Sequence, residues 1–153
     1  AACGLTHCPP LDGLAALPAD ASRWAALKLR APELDPAALR LPAKLCRLIE
    51  RSAAAYKSQP DALALKKIIA QEGWAVAEVC AELAGAQALL EGIRASGDCV
   101  TLRQLAVTGA DFPQLPGTAV GAVLHALLQH ILAHPEDNTR PRLLTLAEKI
   151  AKI

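Results

Sequence analysis

This chain is predicted to be all-α, an irregular helical bundle of two small helical subdomains, and three features lead there. Its apolar residues are mostly Ala, Leu, Val and Ile, with one Phe, one Tyr and two Trp; Ala and Leu are strong helix formers, and β-branched runs are scarce. Apolar side chains recur at intervals of three, four and seven over long stretches, the period of a helix with one buried face. A length of 153 residues gives room for one domain or two small helical ones with a real core.

Taken in order, residues 1–19 are rich in Pro and Gly and read as a loop with one short helical turn. Asp20 is a suitable N-cap for a helix carrying Trp24, Leu27 and Leu29. Pro32 and Pro36 limit any helix over 33–40 to a few turns. Pro42 suits the first turn of a helix running to about Tyr56, with Leu45, Leu48, Ile49 and Ser52 at helical spacing. Asp61 caps a further helix through Leu65, Ile68 and Ile69, which Gly73 ends. Val76, Val79, Cys80, Leu83 and Leu90 predict one long helix over 74–93. The break at Ser96-Gly97-Asp98 places the subdomain boundary, giving 1–97 as one unit and 98–153 as the other.

Beyond the break, Leu102 to Leu105 fits a short helix before Gly109, where a residue without Cβ allows a positive φ. Asp111 is expected to cap the turn after it. Val120, Val123, Leu124, Leu127, Leu128, Ile131 and Leu132 form one broad stripe of a helix over 116–133. Pro135 stops that helix, Asn138 or Thr139 restarts the chain, and Pro141 fits the first turn of a terminal helix.

The net charge of +1 argues neither for nor against nucleic acid, but its distribution is uneven. Residues 40–67 hold seven basic side chains against two acidic ones, a balance of +5, and 68–98 hold one against five, a balance of −4. Lys44, Arg47 and Arg51 lie three and four residues apart on one helical face, with Lys66 and Lys67 on the next helix. Such a face either tracks the phosphates of a structured RNA or is simply solvated, the commoner fate of surface charge. Arg103, Arg140, Arg142, Lys149 and Lys152 make a second, weaker basic set. Near-absence of aromatic side chains argues against a single-strand binder, which needs stacking platforms.

Gly117 and Gly121 stand one turn apart at a helix start. They either bring free amides to a phosphate or allow a neighbouring helix to pack closely. His130 and His134 share a face at a spacing that suits zinc, but no third ligand is placed. Cys3, His7 and Cys8 likewise lack a second ligand pair. Five scattered cysteines form no disulfide framework and point to a reducing compartment. The start has neither the basic residues nor the apolar core of a signal peptide, and no apolar run reaches the roughly 18–20 residues of a membrane span. A cytoplasmic protein with no membrane partner is the expectation. No P-loop, dinucleotide fingerprint or nucleophile elbow is present, and no cofactor is expected in this chain.

The run Leu102-Arg103-Gln104-Leu105-Ala106-Val107-Thr108-Gly109-Ala110-Asp111-Phe112 is followed by Pro116-Gly117-Thr118-Ala119-Val120-Gly121 and then by Pro135-Glu136-Asp137-Asn138-Thr139. In this order they resemble the C-terminal region of bacterial CCA-adding enzymes, the tRNA nucleotidyltransferases related to poly(A) polymerase. That family's tails read L-x-x-L-A-I-x-G-x-D-L, then P-G-x-x-[IV]-G, then P-E-x-N-[ST]. Upstream, Arg23-Trp24-Ala25-Ala26-Leu27 and Arg40-Leu41-Pro42 resemble helices of the family's body.

The resemblance implies a body-plus-tail portion that grips the acceptor and TΨC arm of tRNA up to its elbow. Head and neck domains of the same polypeptide would then carry the catalysis, with Mg²⁺ and CTP or ATP bound there. It makes Lys44, Arg47, Arg51, Lys66, Lys67, Arg103, Gly117, Gly121, Arg140 and Arg142 the candidate RNA-binding residues. Glu136-Asp137-Asn138-Thr139-Arg140 also spells E-D-x-x-R, the family's base-reading string, but at the wrong place in the chain; Glu136 and Asp137 are expected to cap the last helix instead. The competing reading is a helical interaction module that forms a homodimer through exposed Leu and Val faces.

Overall fold

The structure is a computed structural model describing residues 13–151. Among them are seven α-helices and short 3-10 turns, with no strand, so the fold is all-α. The chain divides into two compact units between Gly92 and Ile93. The predicted loop over 1–19 and the Cys3, His7 and Cys8 set fall wholly or partly outside the described residues; from residue 13 onward the segment holds one 3-10 turn, Leu14–Ala16.

In the first unit α1 (Asp20–Arg30) packs on α2 (Ala43–Ala55) and α4 (Trp74–Ala84), and α3 (Ala62–Glu72) packs on α4. The helices close over Ala25, Ile49, Leu65, Ile69, Val76 and Cys80, all nearly inaccessible to solvent. Asp20 is the first residue of α1 rather than its cap; its carboxylate turns inward along the helix to Arg23 at 3.1 Å. No helix forms over 33–40: the segment is a series of turns that buries Leu34 and Pro36. Lys28 ties it down, donating to the Leu34 carbonyl at 2.6 Å and pairing with Glu50 at 3.3 Å. Pro42 sits just before α2, one residue earlier than expected. Asp61 caps α3 as predicted, its Oδ1 accepting from the Ala64 amide at 2.6 Å.

The predicted single helix over 74–93 is two helices. Gly85 takes a left-handed φ of 66°, and the Ala86 amide bonds back to the Ala81 carbonyl at 2.8 Å, a Schellman-type closure. The chain restarts as α5 (Gln87–Ser96). Leu90 continued the apolar stripe across the break, so periodicity masked it.

In the second unit α6 (Gly117–Ala133) packs on α7 (Arg140–Ala151) and on the 3-10 turns Leu102–Gln104, Gly109–Asp111 and Pro135–Asp137. Val107, Phe112, Leu127, Ile131 and Leu143 form its buried centre. Gly109 does not use a positive φ; a Cβ there would lie 3.3 Å from Val120 Cγ1, so the residue is small because α6 passes close. Asp111 caps the turn before it, not after it: Oδ2 accepts from the Thr108 amide at 2.7 Å. Asn138 joins distant turns, its Oδ1 accepting from the Ala106 amide at 2.9 Å and its Nδ2 donating to the Gln104 carbonyl at 3.0 Å.

Candidate nucleic-acid interface

α2 presents Lys44, Arg47 and Arg51 on the face opposite the fully buried Ile49, as a 100° rotation per residue requires. All three are exposed, but their chemistry differs. Arg51 is committed inside the fold: Nε donates to Glu72 Oε2 at 2.6 Å, and Nη2 donates to the Glu72 backbone carbonyl at 3.1 Å. It therefore closes the C-terminal end of α3, where unsatisfied carbonyls gather. Lys44 and Arg47 have no ion-pair or hydrogen-bond partner among the described residues. Lys67 is exposed and equally unpartnered, whereas the half-buried Lys66 already has an interaction within the fold.

Every acid of the segment 40–72 is occupied. Glu50 meets Lys28, Asp61 caps α3, and Glu72 meets Arg51. Lys44, Arg47 and Lys67 thus have no ion-pair partner among the described residues, and the segment keeps an excess of positive charge, the condition under which a surface attracts a polyanion. Lys57, which the sequence reading left out of the set, belongs to it. It is exposed just beyond α2 and lines a hollow of about 480 Å³ between α2 and α3, together with Arg51 and Lys67. Its signal in the sequence was only its place in the basic stretch 40–67; six residues beyond Arg51, it is off the helical spacing that joins 44, 47 and 51.

In the second unit two of the candidate cations, Arg140 and Arg142, are paired directly with carboxylates. Arg140 Nε and Nη2 both donate to Asp111 Oδ1, at 3.1 and 2.6 Å. Arg142 donates to Asp137, which also accepts from His130 Nε2 at 2.9 Å. The Asp111 carboxyl is held below the usual range, first by the Thr108 amide and then by Arg140. Asp137 is lowered first by His130 and then by Arg142. Just ahead of α7, Asp137 joins α6 to α7 through His130 and Arg142, and Glu136 meets His134 at 3.4 Å. Arg103 is exposed on its 3-10 turn and has no partner among the described residues; Lys149 is exposed at the end of α7, and Lys152 lies outside the described residues.

Gly117 is the exposed first residue of α6 and Gly121 is half-buried one turn on. A Cβ built at either meets nothing within 4 Å, so neither glycine is explained by a close helix neighbour. His130 and His134 have ring centroids 4.9 Å apart, and each is directed to its own acid.

The three described cysteines are free thiols. Cys80 is buried against the Ser52 carbonyl at 3.6 Å, and burial pushes its thiol up to about 11, with Glu72 adding to the rise. It behaves as a small apolar core residue. No helix among the described residues is long and apolar enough to cross a membrane. Comparison with known proteins returns no matching family model, no matching curated protein and no matching solved structure.

Proposed function

We propose that this chain is the tRNA-gripping body and tail of a CCA-adding nucleotidyltransferase, and that the grip lies on α2 and α3 of the first unit. The observation that carries the reading is the row of exposed Lys44 and Arg47 on one face of α2, without partners among the described residues, extended by Lys67 on α3. Cations without internal partners are available to phosphate oxygens, and such contacts fix a protein on a nucleic acid without reading its sequence. The ordered agreement of the Gly109-Ala110-Asp111, Gly117 and Asn138-Thr139 turns with the family's tail supports tRNA as that RNA. The near-absence of aromatic residues favours its double-stranded acceptor and TΨC arm over a single strand. In this reading nucleotide addition, with its metal ions and nucleoside triphosphates, belongs to the head domain, and the part described here measures and holds.

The reading assigns Lys44, Arg47 and Lys67 to RNA and gives Arg51, Arg140 and Arg142 a structural task. Binding of the chain to an acceptor–TΨC minihelix at two salt concentrations tests it. Affinity that falls steeply with salt, and that Lys44→Ala/Arg47→Ala weakens, is the expected result. A salt-insensitive dimer that leaves the minihelix unshifted would replace it with the interaction-module reading.

A further inference from the structure

The hollow between the end of α2 and the outer side of α3 has features that the α2 face alone does not need. Its volume is about 480 Å³, and Lys57 and Lys67 flank a floor that includes the small side chains Ala54 and Ala64. A second hollow of about 280 Å³ shares Lys57, Ala64 and Lys67 with the first, so the depression runs on past the two lysines. Glu72 lines the first hollow and is bound by Arg51; Asp61 lines the second, keeps its negative charge and accepts from the Ala64 amide. Neither lysine has a partner among the described residues. In the first hollow Arg51, Lys57 and Lys67 face one carboxylate, Glu72, beside the small side chains Ala54 and Ala64, an arrangement that suits a bulky anion coming close to the backbone.

Resting on the RNA-binding reading above, we infer that this hollow seats the sugar-phosphate backbone of one strand of an RNA duplex, with Lys57 and Lys67 as its phosphate ligands and Ala54 and Ala64 as the floor. Arg51 is the positioning residue: by holding Glu72 it keeps that carboxylate from pairing with the lysines. Duplex backbone is the occupant because none of the residues around either hollow is an aromatic platform for an unstacked base. Point charges on flexible stems suit phosphates that are recognised without sequence.

The test uses the chain with a short RNA hairpin stem, and reads fluorescence anisotropy across a salt series. Lys57→Ala/Lys67→Ala should lower the slope of log affinity against log salt by about 1.8, since each duplex phosphate contact contributes about 0.9. At roughly 0.1 M salt that corresponds to a loss of about fifty-fold. Lys57→Arg/Lys67→Arg should retain the slope. Ala64→Leu fills the hollow without altering charge and keeps a strong helix former in α3; it should weaken binding while leaving the circular dichroism unchanged. A single-stranded oligonucleotide of equal length should compete at least tenfold less well.

An unchanged slope in Lys57→Ala/Lys67→Ala, beside a loss in Lys44→Ala/Arg47→Ala, overturns the hollow and leaves the RNA reading in place. Equal competition by the single strand overturns the duplex occupant. A wild type with no salt-dependent binding removes both.

Discussion

Both units of this protein carry candidate cations, but Lys44, Arg47 and Lys67 of the first stand differently from Arg140 and Arg142 of the second. In the first, the acids that accompany Lys44, Arg47, Lys57 and Lys67 are drawn off to Lys28, to the α3 cap and to Arg51. In the second, Arg140 and Arg142 are bound directly by Asp111 and Asp137. An arginine in an ion pair is not barred from a ligand, but a phosphate must displace or share a carboxylate to reach it. The contrast teaches that a basic patch cannot be read by counting positive residues. What matters is where the neighbouring carboxylates go, and the fold decides that.

The sharpest way to break this contrast is a pair of double variants. Lys44→Ala/Arg47→Ala should reduce minihelix affinity by about fifty-fold at roughly 0.1 M salt and lower the salt slope by about 1.8. Its unfolding midpoint should stay near that of the wild type, because neither side chain has a partner among the described residues. Arg140→Ala/Arg142→Ala should do the reverse, lowering the thermal midpoint while changing affinity by less than about threefold. Titration and thermal melts on the wild type and the two double variants read both halves. A large affinity loss in the second variant would place the tail cations on the RNA after all.

Next in size is Asn138→Ala. Its amide spans 32 and 34 residues of sequence to hold Ala106 and Gln104, so one side chain organises the entry to the second unit. Two hydrogen bonds at about 1 kcal/mol each put the expected loss near 2 kcal/mol. Denaturant unfolding measures it; a loss below about 0.5 kcal/mol would mean that the turn is held by its packing instead. RNA affinity of the folded fraction should not move, which keeps this change on the stability side of the comparison.

These bonds also mark how far sequence reasoning reaches here. Helix existence, the Asp61 cap and the buried stripe of α6 were legible, because each depends on residues within a turn or two of one another. The exposed α2 face was legible for the same reason. The partners were not: Arg51 finds Glu72 21 residues on, and Arg140 finds Asp111 29 residues back, distances at which no local pattern specifies pairing. Gly85 failed differently. Its stripe neighbours Leu83 and Leu90 keep helical spacing, so the left-handed residue between them left no mark in the period, although Gly97 did at the end of α5. Gly109 was recognised as special for the wrong reason, a close approach of Val120 having the same sequence signature as a left-handed turn.

Acid should separate the units further. Asp111 and Asp137 have folded values below the ordinary 3.8, so the stability they lend is fully present above that value. It is lost as the pH falls through the lower folded values. Protonating Asp137 also releases its hold on His130 and Arg142 together. A pH series of melts should therefore lower the second unit's transition in Asp111→Asn/Asp137→Asn already at neutral pH, and flatten its remaining dependence below about pH 4. An acid limb as steep as that of the wild type would assign the effect to other carboxylates.

The smallest change concerns the first unit's interior, where α2 meets α4. Ser52 is fully buried there, and its hydroxyl has no hydrogen-bond partner among the described residues. Its carbonyl does have one, the Cys80 thiol at 3.6 Å, and that contact survives substitution of the side chain. Removing a buried, unsatisfied hydroxyl relieves a desolvation cost and leaves a void of about one oxygen atom, so the two effects oppose each other. Ser52→Ala should be neutral to stabilising, by no more than about 1 kcal/mol, with alanine's better helix propensity adding to the gain. Because Ser52 is buried while Lys44 and Arg47 are exposed, RNA affinity should stay at the wild-type value. A destabilisation above about 1 kcal/mol would show that the hydroxyl does find a partner, and that this interface is polar by construction.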